Sequence, residues 1–162
     1  MMDSEDKDFC ARSHTGAVLT KFWWGGYKHA YAPLTHSLVA AKSPTGIVLF
    51  RPDGCDFWSL PGGSLVDHNQ ALEETVRRFE EQTGLEARRL SVLGYYRIVL
   101  PESVEYGALI FCTCDEVSQR KRASHNNEVR AWQGQSALQD LDPIAAALAC
   151  VAMDCHSWKT CR

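Results

Sequence analysis

The sequence predicts one α/β domain, a mixed β-sheet sandwiched between helices. Short apolar runs bounded by Gly, Pro, Asn and Asp recur through the first half and again near residues 90–114, which is how strands and their turns read. One stretch, Asn69 to Thr83, carries apolar residues at helical spacing. A second apolar stretch, Gln139 to Met153, reads as a helix. At 162 residues the chain suffices for one domain with its own core. We divide it into an N-terminal extension over 1–34, partly disordered or interface-forming, and a domain over 35–162.

Met1 to His14 is polar and acidic at its start, with Asp3, Glu5, Asp6 and Asp8, and is expected as a disordered or loosely docked lead-in. Phe22-Trp23-Trp24-Gly25-Gly26-Tyr27 concentrates aromatics. It fits an edge strand and turn, either buried against its own chain or meeting a second subunit in a homodimer. His36 to Ala41 and Gly46 to Phe50 are two strands joined by a turn at Lys42-Ser43-Pro44-Thr45, and Arg51-Pro52-Asp53-Gly54 is a second turn. Phe57 to Leu60 is a brief extended piece entering Pro61-Gly62-Gly63.

In the helix that follows, Leu72, Val76, Phe79 and Thr83 share one face and are expected to be buried. Asp67 or Asn69 caps its start and Gly84 ends it. Leu90 to Val99 and Tyr106 to Cys114 read as strands, and Glu116 to Asn127 as a polar surface loop. The last helix begins near Asp142-Pro143, where proline is tolerated.

The bulk properties restrict function. Seventeen basic against 20 acidic residues give a net charge of −3, which is no footprint for nucleic acid or an acidic membrane surface. No apolar run approaches the roughly 20 residues needed to span a bilayer. The polar start lacks the features of a secretory signal, so a cytoplasmic location is expected. Seven cysteines, odd in number and without a CxxC pair, argue against a disulfide framework and favour buried free thiols at Cys112 and Cys114. The six histidines show no metal-ligand spacing.

Gly63, Arg77, Phe79, Glu81, Gly84 and Leu85 stand in a fixed register, preceded by Trp58-Ser59-Leu60-Pro61-Gly62. This stretch resembles the Nudix box. That motif runs glycine, five residues, glutamate, seven residues, arginine, glutamate, an apolar residue, any residue, two glutamates, any residue, glycine, an apolar residue. With its flanks, the resemblance extends over roughly 36–153. It implies a Nudix fold and a pyrophosphohydrolase that uses magnesium or manganese held by the box glutamates. Three of the four glutamate positions are replaced here, by Asn69, Arg78 and Gln82, and only Glu81 remains.

Magnesium takes hard oxygen ligands at about 2.1 Å, and Arg78 places a permanent cation at a ligand position. Glu74 shares the helix face with Glu81 but lies roughly 10 Å along it. A surface ladder of ion pairs among Glu74, Arg78 and Glu81 is therefore expected, on an exposed face that would accept glutamate at 78 and 82. If the chain is active, the catalytic residues are Glu81 and Arg77, and the metal ligands are Glu81 and Glu128; otherwise no cofactor is needed. Gly62, Gly63, Arg51, His68 and Arg78 are the ligand-binding candidates, since a glycine turn before a helix suits an anion. Glu102 and Glu105 are further carboxylates outside the box. Tyr95 or Tyr96 could stack on a base, while Trp58 and Trp132 fit the core.

Three functions follow: a Nudix-like domain that binds a nucleoside-diphosphate-linked ligand with weak or no hydrolysis, an active hydrolase using Glu81 with carboxylates from other loops, or a protein-interaction module using Trp23 and Trp24. The expected partner is a small nucleotide-like molecule, with no nucleic acid and no membrane, and a homodimer as an option.

Overall fold

The computed structural model describes residues 6–25, 33–117, 127–134 and 138–155. The strands are β1 (Lys7–Arg12), β2 (Val18–Trp24), β3 (Leu34–Ser43), β4 (Gly46–Arg51), β5 (Gly62–Ser64), β6 (Arg88–Val99), β7 (Val104–Thr113) and β8 (Glu128–Trp132). The helices are α1 (Ala71–Thr83) and α2 (Pro143–Asp154). They form one mixed sheet in the order β1-β2-β6-β7-β3-β4-β8, with β5 added beside β3. The β3–β7 pair is parallel and every other named pair is antiparallel.

Alternating side chains divide the core between the two faces of the sheet. On β3, Ala40 packs in a large cluster with Leu49, Tyr96, Leu109, Trp58, Trp132 and the α2 residues Ile144, Leu148 and Val151. Val39 and Ala41 join Val48, Cys112, Cys114 and Phe79 of α1 on the other side. Burial raises the thiols of Cys112 and Cys114 to about 12 and about 11, so both are neutral apolar fillers.

Several expectations are corrected. Lys7–Arg12, inside the supposed lead-in, is a strand paired with β2. β2 pairs in turn with β6 and places Leu19, Phe22 and Trp23 in the core. A hairpin whose apolar side completes the sheet's core is not an appendage. Trp23 is buried within its own chain and Trp24 is half-buried against the core. Tyr27 lies outside the described residues, as do His29, His125, His156 and Cys161.

In α1 the buried stripe is Thr75, Phe79 and Thr83. Leu72 is 43% exposed and Val76 half-buried, against the expected apolar face. Polar threonines can occupy that stripe because their hydroxyls are bonded: Thr83 donates to the Phe79 carbonyl at 2.7 Å, and Thr75 bonds both the Ala71 carbonyl and Ser37 of β3. Asp67 caps the preceding 3-10 turn, His68–Gln70, by accepting the Asn69 N–H. Gly84, at φ 72°, closes α1.

Asp142 caps α2 and is nearly buried. Its carboxylate accepts from the Ala145 N–H at 3.2 Å and the Ser13 hydroxyl at 2.7 Å, and meets His14 Nδ1 at 3.2 Å. Those bonds tie the β1–β2 turn to the start of α2.

One edge of β3 is divided. Its end, Lys42–Ser43, pairs with β4, while His36–Leu38 pairs with β5. The chain from Arg51 to Gly62 crosses this fork, and the glycine loop therefore becomes an outer strand beneath α1.

Candidate functional site

β5 uses one backbone edge for β3: the Val39 N–H donates to the Pro61 carbonyl and the Leu65 N–H to the Thr35 carbonyl, both at 2.8 Å. Alternation puts the polar groups of Gly62 and Ser64 on the opposite edge, facing α1. An edge of this kind needs partners, and three side chains of α1 supply them. Gln82 accepts the Gly62 N–H at 2.8 Å and donates to the Gly62 carbonyl at 2.9 Å. Arg78 Nη1 donates to the Ser64 carbonyl. Glu74 accepts the N–H groups of Val66 and Asp67 at 3.1 and 2.9 Å.

Residues 74, 78 and 82 are spaced i, i+4, i+8, so they share a face at about 6 Å per step. Two residues of strand advance about 6.6 Å. The two repeats match closely enough for the helix face to close on the strand like a zipper. Each side chain suits its partner: a carboxylate for two N–H groups, a guanidinium for a carbonyl, a carboxamide for one of each. The N–H bonds of Val66 and Asp67 hold the Glu74 carboxyl below the usual carboxylate range, with help from the charges of Arg78 and Arg77.

The expected exposed ion-pair ladder is thus not what occupies this face. Glu74 grips backbone, and among the described residues no carboxylate lies within ion-pair reach of Arg78. Gln82 is half-buried rather than exposed. Glu81 stands outward and pairs with Arg77 at 3.9 Å, the side chains 57% and 65% exposed. The donor set does not fit a divalent metal. The two loop carbonyls facing α1 already accept hydrogen bonds, and the one remaining box carboxylate is exposed and bound to an arginine.

The other candidates fall in separate places. Arg51 and Glu128 are joined at 2.6 Å across β4 and β8, and this bond raises the guanidinium's already high pKa. Arg51 and Arg130 lie 5.1 and 4.9 Å from the ring centre of Trp58. Arg51, Asp53, Asp56 and Glu128 edge an open hollow of about 270 Å³. His68 is exposed, and its Nδ1 accepts the Leu34 N–H at 2.8 Å. Gly62 and Gly63 are brought together with Arg78, and a Cβ at Gly63 would lie 2.8 Å from Arg78 Nη1. Tyr96 is fully buried, Tyr95 half-buried, and Trp58 and Trp132 belong to the core. Among the described residues no group of three or more His, Cys, Asp or Glu side chains could hold a metal ion.

Two arrangements escaped the sequence reading. One is the backbone grip of Glu74 and Gln82, whose only linear trace is the i, i+8 spacing. The other lies on the opposite face of the sheet, where His36 Nδ1 meets the Tyr96 hydroxyl at 2.7 Å and its Nε2 lies 3.7 Å from Glu105. Burial lowers the His36 pKa to about 4, so the ring is neutral. Gly107 makes the space, since a Cβ there would strike both rings.

No family model and no curated protein matches the chain. Solved structures do. The pyrophosphohydrolase BsRppH of Bacillus subtilis, solved as a mutant, superposes with a TM-score of 0.62 at 17% identity, over 82% of this chain and 85% of that one. A UDP-X diphosphatase gives 0.57 at 18% identity, over 77% and 63%. A MutT NUDIX hydrolase from Burkholderia pseudomallei gives 0.55 at 18% identity, over 72% and 95%. At such identities the likeness is one of fold.

Proposed function

We propose that this Nudix-fold chain binds a nucleoside-diphosphate-linked small molecule and hydrolyses it weakly or not at all. The observation that carries the reading is the zipper between α1 and β5. Positions 78 and 82, where the box has metal-binding glutamates, are an arginine and a glutamine that bond the backbone of the loop. The ligand class follows from the fold: the structural relatives include a pyrophosphohydrolase and a UDP-X diphosphatase. Gly63 and Arg78 form the ligand-facing group in this reading, supported by Gly62, which is buried with both backbone groups on Gln82, while Arg51 and His68 stand at separate positions. The residual roles of Glu81 and Arg77 in catalysis, and of Glu81 and Glu128 as metal ligands, belong to the active alternative.

A screen separates the two. Dinucleoside polyphosphates, nucleotide sugars, ADP-ribose and nucleoside triphosphates are incubated with magnesium or manganese, and binding is measured in parallel. Binding without turnover is expected. Brisk metal-dependent hydrolysis lost in Glu81→Gln would overturn the proposal.

A further inference from the structure

We infer that Arg78 is the centre of a metal-independent site for a phosphate or diphosphate oxyanion, an assignment that rests on the ligand-binding reading above. Three observations converge on it. The Arg78 charge is uncompensated by any ion pair among the described residues, whereas Arg51, Arg77 and Arg88 each have a carboxylate within 4 Å. Glu74, four residues before it on the helix, has its oxygens on the N–H groups of Val66 and Asp67.

The side chain is also held in place. One guanidinium N–H is anchored on the Ser64 carbonyl, which restrains the rotamer before any ligand arrives. A guanidinium carries five donors in a planar fork, and no described residue accepts from the others. Finally, the group lies against Gly63, where the missing Cβ leaves bare backbone: a methyl there would stand 2.8 Å from Nη1. A fixed, half-exposed fork beside a glycine has the geometry for bidentate contact with phosphoryl oxygens.

The test uses inorganic pyrophosphate and ADP as probes, in buffer with EDTA, by isothermal titration calorimetry on the full chain. Pyrophosphate is expected to bind wild type without metal and to weaken with salt. Arg78→Lys, which keeps the charge but not the fork, should weaken it several-fold. Arg78→Gln, which keeps a donor but no charge, should weaken it at least about tenfold, the scale of a lost charge-assisted pair. On wild type alone, the Arg78 Nε–Hε NMR signal should shift on adding pyrophosphate in EDTA, which keeps the test independent of how the variants fold. A strict need for magnesium, or an unmoved Arg78 signal, overturns the assignment. ADP binding that Arg78→Gln leaves unchanged overturns it too, while the nucleotide-ligand reading stands. Binding of neither probe, with or without metal, overturns both.

Discussion

Gln82→Glu changes one atom pair in the zipper and should be costly. The carboxamide both accepts from and donates to Gly62, at 2.8 and 2.9 Å. An ionised carboxylate keeps the first bond but sets an oxygen against the Gly62 carbonyl. A lost hydrogen bond costs about 1 kcal/mol, and the half-buried carbonyl left without a donor roughly 1 more. The stronger, charge-assisted bond to the Gly62 N–H returns part of that. The net loss is about 1–2 kcal/mol at pH 7, or roughly 2–8 °C in Tm for a domain of this size.

A protonated carboxyl is isosteric with the carboxamide and can donate to Gly62. The folded-state pKa of the introduced acid is therefore raised by about one unit over its unfolded value near 4.3. A raised folded pKa means the deficit grows as pH climbs from the unfolded to the folded value and is complete above it. Urea denaturation of variant and wild type at pH 7 and at pH 4.5 reads both, and the deficit should fall by about half or more at the lower pH. Unchanged stability at pH 7, or an equal deficit at both pH values, refutes the zipper as the reason for Gln82.

The remaining expectations concern other parts of the frame. Gly62→Ala should destabilise more than Gly63→Ala, because the first methyl strikes the Ser37 backbone carbonyl and the second meets only the Arg78 side chain; paired Tm measurements order them, and equal losses count against the packing described. Asp142→Ala removes a helix cap together with the contacts to Ser13 and His14, and should cost about 2–3 kcal/mol in urea denaturation. His36 has a pKa lowered to about 4 by burial. Its folded pKa lies below the unfolded 6.5, so stability should decline as pH falls from about 6.5 toward 4, by up to about 3 kcal/mol. His36→Gln should flatten that slope, and an unaltered pH profile would show that His36 is not its source.

The α/β class, the helix over residues 69–83 and its glycine stop were legible in the sequence because periodicity and turn chemistry are local. The box register was legible for a similar reason: Gly63, Arg77, Phe79, Glu81, Gly84 and Leu85 keep a fixed spacing whatever surrounds them. The N-terminal hairpin was harder. Lys7–Arg12 has only the three-residue apolar run Phe9-Cys10-Ala11 to mark it, flanked by charges, and its strand character comes from pairing with β2. The buried face of α1 was read correctly at Phe79 and Thr83 but misjudged at Leu72 and Val76, because Thr75 becomes acceptable in the core only once its hydroxyl finds Ser37 and the Ala71 carbonyl.

By itself, then, the sequence determined the fold class and the presence of Asn69, Arg78 and Gln82 where the motif it resembles has glutamates, since both are properties of residue type and spacing along one chain. The tertiary structure decided what the replacements do. Arg78 and Gln82 read in sequence as a misplaced cation and a neutral gap. Against β5 they are the donors and acceptor that its outer edge lacks. That role depends on which backbone groups β3 leaves unpaired, and a strand's free edge exists only after the sheet has formed.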